Sequence, residues 1–304
     1  MNVLNLIRWK NLLMIALVQL LIKYALLEPF GVSTSLDGFG IMLLILATIS
    51  IAAAGNIIND INDIETDIIN KPEKVIIGKS ISEKTAYNLF IILNLIGVGL
   101  GFYLSHKVNR APFFSIFVII SVLLYVYATY LKRTFLIGNI IISILVALSL
   151  IIVGVFELLP NIMPSNQQTQ IVFFKIILDY ALFAFSINLL REIAKDIEDI
   201  DGDYNAGMNT LPIAIGRERT KNVLSVLNFI PLAAIIHYVI SNLYKQQVAV
   251  GYFLIFVIAP LIYITIKTFS AETKKDIRYI SNMYKLVMLF GMLSLLLYKY
   301  VILN

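Results

Sequence analysis

Long uncharged segments dominate the sequence, and their length decides which kind of protein the chain can form. A helix needs about 20 mainly apolar residues to cross the hydrocarbon core of a bilayer. Segments of roughly this length lie at residues 11–28, 38–58, 85–105, 111–131, 134–156, 174–191, 222–244, 246–266 and 282–302. The pattern predicts an all-α fold, a polytopic membrane bundle of nine transmembrane helices.

The composition supports this prediction and limits the available chemistry. The 304-residue chain is 59% hydrophobic and 14% charged, and its mean hydropathy of +0.86 lies outside the range of soluble domains. We expect a single membrane domain over residues 1–304, with no cleavable signal peptide at its start. The sequence has no cysteine and two histidines, so a bound metal is expected to use oxygen ligands.

The distribution of positive charge predicts an orientation in the lipid bilayer. Of the 24 lysines and arginines, all but six fall at the N-terminus or in every second connection, the side expected to be cytoplasmic. The six exceptions are Lys23, Lys107, Arg110, Lys175, Lys245 and Lys299. With nine spans, this bias predicts a cytoplasmic N-terminus and an external C-terminus. Topology accounts for the net charge of +5, so no nucleic-acid partner is expected.

Two polar stretches, residues 56–74 and 192–212, carry acidic rows with the same spacing. The first row comprises Asn56, Asp60, Asp63 and Asp67. The second comprises Asp196, Asp199 and Asp203. On a continuous helix the members of the first row share an arc of about 60°. Both stretches fall on the predicted cytoplasmic side.

Carboxylates stacked on one helical face repel one another, so a cation is expected to compensate them. Mg²⁺ suits such ligands and commonly binds through one or two carboxylates together with substrate phosphates, which indicates a diphosphate substrate. The basic residues placed to bind its oxygens are Lys71, Lys74, Lys132, Arg133 and Lys195. Acidic residues at helix ends are often a solvated surface or caps, but the repetition of the row favours the metal interpretation.

At these residues the sequence resembles the UbiA superfamily of intramembrane prenyltransferases. The first motif of that family matches residues 59–67 and continues at 70–72, and the second matches residues 195–203, with Gly207 and residues 210–212 after it. The resemblance implies a bundle in two pseudo-repeated halves, with a polar mouth near the cytoplasmic face and an apolar tunnel. It also implies Mg²⁺-dependent transfer of a prenyl group from an isoprenoid diphosphate to a lipophilic acceptor.

The resemblance suggests roles for individual residues. We expect catalysis to depend on Asp60, Asp63, Asp196, Asp199 and Lys132. The expected metal ligands are Asn56, Asp60, Asp63, Asp67, Asp196, Asp199 and Asp203. The rings of Tyr127 and Tyr130 are candidates for shielding an allylic cation, although tyrosine at a membrane interface is more often an anchor. Lys74 stands where the family often has arginine, and it keeps the charge without the bidentate fork.

The sequence allows two chemical classes of prenyl acceptor. The second motif looks most like that of members that transfer a geranylgeranyl group to geranylgeranylglycerol phosphate, and this acceptor is our first expectation. The alternative is an aromatic acceptor of quinone biosynthesis, such as a hydroxybenzoate, homogentisate or naphthoate. A more distant alternative is a cation-coupled transporter, which would place carboxylates near the middle of the spans. Asp179 is the only carboxylate that lies in the interior of one of the predicted spans.

Overall fold

The computed structural model describes residues 2–299, and this part of the chain contains nine helices long and apolar enough to cross a membrane. In chain order, spans 1 to 9 are Trp9–Phe30, Gly38–Asn62, Glu83–Lys107, Ala111–Thr129, Ile137–Asn161, Gln167–Asn205, Arg217–Leu243, Gln247–Phe269 and Lys274–Leu297. The predicted all-α fold and number of spans are confirmed. The prediction for residues 300–302 lies outside the described residues.

Span 6 is much longer than the sequence pattern predicts. Its helix runs without interruption over Gln167–Asn205, whereas the apolar segment ends at residue 191. At 1.5 Å per residue the 39-residue helix is roughly 58 Å long, nearly twice the hydrocarbon thickness of about 30 Å. Its last third carries the second acidic row, which therefore lies on a rigid helix and not in a loop.

The first acidic row is divided between two helices. Span 2 ends at Asn62, and a short helix begins at Ile64, with Asp63 between them at φ −100° and ψ 1°. The Thr66 hydroxyl donates to the carbonyl oxygen of Asp63 at 2.9 Å and supports the turn. This break differs from the continuous helix that the spacing predicts. As a result, Asp67 lies on a different helix from Asn56 and Asp60.

Two large apolar clusters hold the bundle together. The first joins spans 1, 2, 5 and 6, with single residues from spans 3 and 4 and the end of span 9, and the second joins the later part of span 6 to spans 7, 8 and 9. Span 2 packs along span 3, while span 6 packs against spans 5 and 9. Because neighbouring spans run in alternating directions, the start of span 1, the end of span 2, the turn before span 5 and the end of span 6 share one end of the bundle.

Candidate active site

A cavity of about 900 Å³ opens at the end of the bundle where the two acidic rows meet. Every acidic-row residue singled out from the sequence lines it: Asn56, Asp60, Asp63, Asp67, Asp196, Asp199 and Asp203. Stretches more than 120 residues apart thus face one space. Deeper in the cavity the walls are apolar, with Val18, Ile51, Phe117, Leu145, Tyr180 and Met292 among the lining residues.

In the first row, Asp60 and Asp63 each hold a basic side chain. The Arg8 guanidinium donates to Asp60 Oδ1 at 2.6 Å, and the Lys132 ammonium lies against Asp63 Oδ1. Arg8 occupies the left-handed region at φ 54°, between the short helix Asn2–Leu6 and span 1. The charge of Asp60 raises the pKa of Arg8 above its ordinary value, so Arg8 stays charged.

In the second row, Asp196 and Asp199 have different partners. Asp196 Oδ2 accepts from the Asn139 amide at 2.8 Å, and Asp199 Oδ2 accepts from the Lys71 ammonium at 2.6 Å. Burial disfavours the charge on Lys71, but Asp199 and nearby carboxylates outweigh it and raise the pKa of Lys71. The Lys71 contact also ties the two rows together, since Lys71 follows the first row in sequence.

Asp67 differs from these paired residues. Among residues 2–299 its side chain has no hydrogen-bond or ion-pair partner, although it lines the cavity. Burial raises the pKa of Asp67 to about 6, and the charges of Asp63 and Asp60 act in the same direction. The cavity therefore concentrates negative charge that the protein's own cations do not fully balance.

The carboxylate and amide oxygens of the acidic rows suit a hard divalent cation such as Mg²⁺. Within residues 2–299 no three acidic, histidine or cysteine side chains are close enough to hold a metal by themselves. Two buried oxygens, Asn59 Oδ1 and Asp199 Oδ1, have no hydrogen-bond partner and are therefore available as metal ligands. Mg²⁺ typically binds through one or two carboxylates, with waters and substrate phosphates completing its shell, so an all-protein cage is not required.

The predicted basic residues divide into three groups. Lys71, Lys74 and Lys132 line the cavity close to the acidic rows. Lys195 also lines it, but its ammonium pairs with Glu192 at 2.8 Å instead of with an aspartate. Arg133, the last residue of the short turn Leu131–Arg133, is exposed and does not line the cavity. The prediction that Arg133 binds diphosphate is therefore not supported by its position.

Of the two tyrosines proposed to shield a cation, the structure places one at the cavity. Tyr127 lines the cavity in the same region as Lys132. Tyr130 is 67% exposed and does not line it. The helix of span 4 ends at Thr129, and Tyr130 leaves helical geometry at φ −134° and ψ −57°, so its side chain does not continue the helical face that carries Tyr127.

Asn70 and Gly202 lie in the two sequence motifs, which assign no role to them, and the structure shows that they hold the rows together. Asn70 donates to the Asp199 carbonyl at 2.8 Å and accepts from the Gly202 amide at 3.0 Å. A Cβ on Gly202 would lie 2.3 Å from Asn70 Nδ2 and 2.8 Å from the Thr66 carbonyl oxygen. The closeness of Asn70 to the first motif was a visible signal, but its partner across the bundle was not.

Gly138 and Asn139 have a similar supporting role around Lys132 and Asp196. A Cβ on Gly138 would lie 2.6 Å from Lys132 Cα, so glycine allows the turn that carries Lys132 to rest on span 5. Asn139, the next residue, reaches Asp196. No spacing within the sequence indicates this contact, because it joins separate helices.

Comparison with known proteins identifies the class. Residues 14–299 match the UbiA prenyltransferase family, and the chain belongs to this family. It is a prenyltransferase and an integral, multi-pass membrane protein.

The similar proteins share both length and fold with this chain. It is 31% identical over 268 residues to the digeranylgeranylglyceryl phosphate synthase of Korarchaeum cryptofilum, covering 87% of this chain and 88% of that protein. A solved structure concerning digeranylgeranylglyceryl phosphate synthase is 24% identical with a TM-score of 0.62, covering 97% of this chain and 98% of that one. A UbiA homolog from Archaeoglobus fulgidus bound to DMAPP and Mg²⁺ is 16% identical with a TM-score of 0.55, covering 97% and 99%.

Proposed function

We propose that the protein transfers a geranylgeranyl group from its diphosphate to the free hydroxyl of geranylgeranylglycerol phosphate, with Mg²⁺ as cofactor. The observation that carries the proposal is the meeting of both acidic rows at the polar mouth of one otherwise apolar cavity. The name of the Korarchaeum relative supports the acceptor. The Archaeoglobus homolog, bound to DMAPP and Mg²⁺, supports the donor class and the metal.

The acidic rows would hold the metal and the donor diphosphate together. Asp60, Asp63, Asp196 and Asp199 are the proposed ligands, and Asn56, Asp67 and Asp203, which line the same cavity, are proposed to complete the site. Bound Mg²⁺ would neutralise charge on the departing diphosphate. Lys71, Lys74 and Lys132 would donate hydrogen bonds to its oxygens, which stabilises the charge that develops as the bond to carbon breaks.

The remaining steps depend on the cavity walls. The bond between the first prenyl carbon and oxygen breaks, and its electron pair leaves with the diphosphate. The acceptor hydroxyl oxygen then forms the new ether bond, and its proton passes to the departing diphosphate. Apolar residues such as Phe117 and Leu145 line the cavity and would exclude water from the reacting carbon, while the Tyr127 ring lies where it could stabilise positive charge.

The assay for this function compares acceptors and metal. Purified protein receives labelled geranylgeranyl diphosphate with geranylgeranylglycerol phosphate or with a hydroxybenzoate, in Mg²⁺ or in chelator. We expect the glycerol ether product in Mg²⁺ alone. Prenylation of the aromatic acceptor would instead indicate an enzyme of quinone biosynthesis, and metal-independent turnover would contradict the role of Mg²⁺.

Variants connect the activity to the two rows. Asp60→Asn and Asp196→Asn each remove a proposed ligand, and we expect turnover to fall by roughly 10²-fold or more. Exposed carboxylates from the same two regions provide matched controls: Glu65→Gln in the short helix Ile64–Asn70 and Asp201→Asn near the end of span 6. Full activity in Asp60→Asn and Asp196→Asn would refute the assignment.

We also propose that the active site faces the cytoplasm, as the distribution of lysine and arginine indicates. Because the chain has no cysteine, a single introduced cysteine can be labelled without background and reports which side of the membrane it lies on. Lys84→Cys replaces an exposed residue at the start of span 3, and Ser165→Cys replaces one in the connection between spans 5 and 6, at the opposite end of the bundle. In intact cells an impermeant thiol reagent should label the Ser165 variant and not the Lys84 variant; the reverse result would invert the orientation.

A further inference from the structure

A second basic group lines the same cavity, apart from the lysines that contact the aspartates. It consists of Arg191 and Lys195 on span 6 and Lys285 on span 9. None of the three is paired with an aspartate of the two acidic rows. We call these three residues the second basic group.

Lys285 is the most unusual member because it lies well inside a membrane span. It is 11 residues beyond the start of span 9 at Lys274, or roughly 16 Å along the helix. Its ammonium donates to Asn11 Oδ1 at 2.6 Å and pairs with no carboxylate in the described part of the chain. A charged residue inside a span is costly and ordinarily serves a functional site.

Arg191 and Lys195 share a single carboxylate. Glu192 accepts from Arg191 Nη1 at 2.9 Å and from Lys195 Nζ at 2.8 Å, and Arg191 Nε is buried with no hydrogen-bond partner. Three positive charges thus stand against one negative charge. The surplus of about two matches the charge of a phosphate monoester near pH 7, and the guanidinium fork suits its oxygens.

The second basic group borders the second acidic row, with Lys195 nearest to it and Arg191 farther along span 6. On the continuous helix of span 6, Arg191 precedes Asp196 by five residues and Asp199 by eight, or about 8 Å and about 12 Å along the axis, while Lys195 directly precedes Asp196. Arg8 stands between the two regions, since it binds Asp60 and the charge of Glu192 also acts on it. The cavity therefore has room for two separate anionic groups.

We propose that Arg191, Lys195 and Lys285 bind the phosphate of the acceptor, next to the site of the donor diphosphate. This inference rests on the proposed function, and it assigns to Lys195 a role different from donor binding. In a glycerol phosphate the phosphate and the neighbouring hydroxyl are separated by few bonds. A phosphate held here would bring that hydroxyl toward the prenyl carbon at the edge of the acidic rows.

The test measures the preference for phosphate. The wild type, Lys285→Met and Arg191→Gln are assayed with geranylgeranylglycerol phosphate and with geranylgeranylglycerol, which lacks only the phosphate. We expect both variants to raise the KM of the phosphorylated acceptor by roughly 10- to 100-fold. The KM of geranylgeranyl diphosphate and the turnover of the dephosphorylated acceptor should stay unchanged, which also shows that the variants are folded.

Two further variants complete the design. Lys285→Arg keeps the charge and should keep the phosphate preference, and Lys275→Met removes an exposed lysine from the same helix and should behave as wild type. The inference is overturned if Lys285→Met keeps the wild-type preference, or if the wild type makes ether from both acceptors equally well. If the wild type uses neither glycerol acceptor, the proposed function itself has failed and the inference fails with it.

Discussion

Burial raises the pKa of Asp67 to about 6, and the neighbouring carboxylates of Asp63 and Asp60 add to the effect. The folded protein therefore holds a proton on Asp67 that the unfolded chain, with an ordinary value of 3.8, releases in the same pH range. The contribution of this group to stability consequently falls as the pH rises from the lower to the higher value. A divalent cation bound to the Asp67 carboxylate would offset this loss of stability.

We therefore expect Mg²⁺ to raise the Tm of the detergent-solubilised protein at pH 8 and to have little effect at pH 5, where protons compete for Asp67. In Asp67→Asn the loss of Tm with rising pH should be smaller. Thermal unfolding with and without Mg²⁺ measures both effects. The exposed Glu65→Gln should match wild type, and an equal Mg²⁺ effect at both pH values would contradict the prediction.

Lys132 and Arg133 allow a comparison between adjacent residues of equal charge. Lys132 contacts Asp63 and lines the cavity, while Arg133 is exposed. Lys132→Met should lower kcat/KM by roughly 10²- to 10³-fold, because a donor to the leaving diphosphate is lost. Arg133→Met should leave it unchanged. Steady-state kinetics decides the matter, and equal losses in both variants would mean that the turn as a whole, not Lys132, is required.

At the scale of helices, the positions of the spans could be predicted because apolar length is a local property of the sequence. The extent of span 6 could not, because its polar end is stabilised by contacts such as that of Asn70 with Asp199. The same limit applies to the site. Repeated spacing indicated the two acidic rows, but the partners Arg8 and Asn139 lie on other helices and leave no periodic signal.

The packing of the short helix Ile64–Asn70 on span 6 depends on Gly202. An added Cβ would come within 2.8 Å of the Thr66 carbonyl oxygen, a backbone atom that side-chain rotation cannot move. Gly202→Ala should therefore lower the free energy of unfolding by about 1–3 kcal/mol and reduce activity by separating the acidic rows. Denaturant unfolding and turnover should be measured together.

Gly99→Ala is the matched control for this prediction. Gly99 lies in span 3, and a Cβ there has no heavy atom within 4 Å. Since alanine favours helix over glycine by up to about 1 kcal/mol, this variant should be as stable as wild type or slightly more stable. If Gly202→Ala behaved like Gly99→Ala, the close approach of the two helices would not be needed.

At the scale of the whole molecule, the end of the bundle opposite the acidic rows is closed by a buried ion pair. Lys23 on span 1 and Glu157 on span 5 are 1% and 0% exposed, and their charged atoms lie 2.9 Å apart. The main chain of Leu36 completes the arrangement, since its carbonyl accepts from Lys23 at 2.6 Å and its amide donates to Glu157 at 3.0 Å. Two spans and the connection between spans 1 and 2 are thereby joined.

Removing one partner of this pair leaves the other charge buried, which typically costs about 3–5 kcal/mol, whereas replacing both by apolar residues often costs little. Lys23→Met and Glu157→Met should therefore each lower the Tm strongly, and the double variant that combines them should recover part of the loss. Because the pair is far from the acidic rows, the KM of the diphosphate should be unchanged in every variant that remains folded. Thermal unfolding of the single and double variants gives the coupling between the two sites. Strictly additive losses of Tm would show that the two side chains stabilise the bundle independently. A raised KM of the diphosphate would show that the ion pair affects the active site at the other end of the bundle.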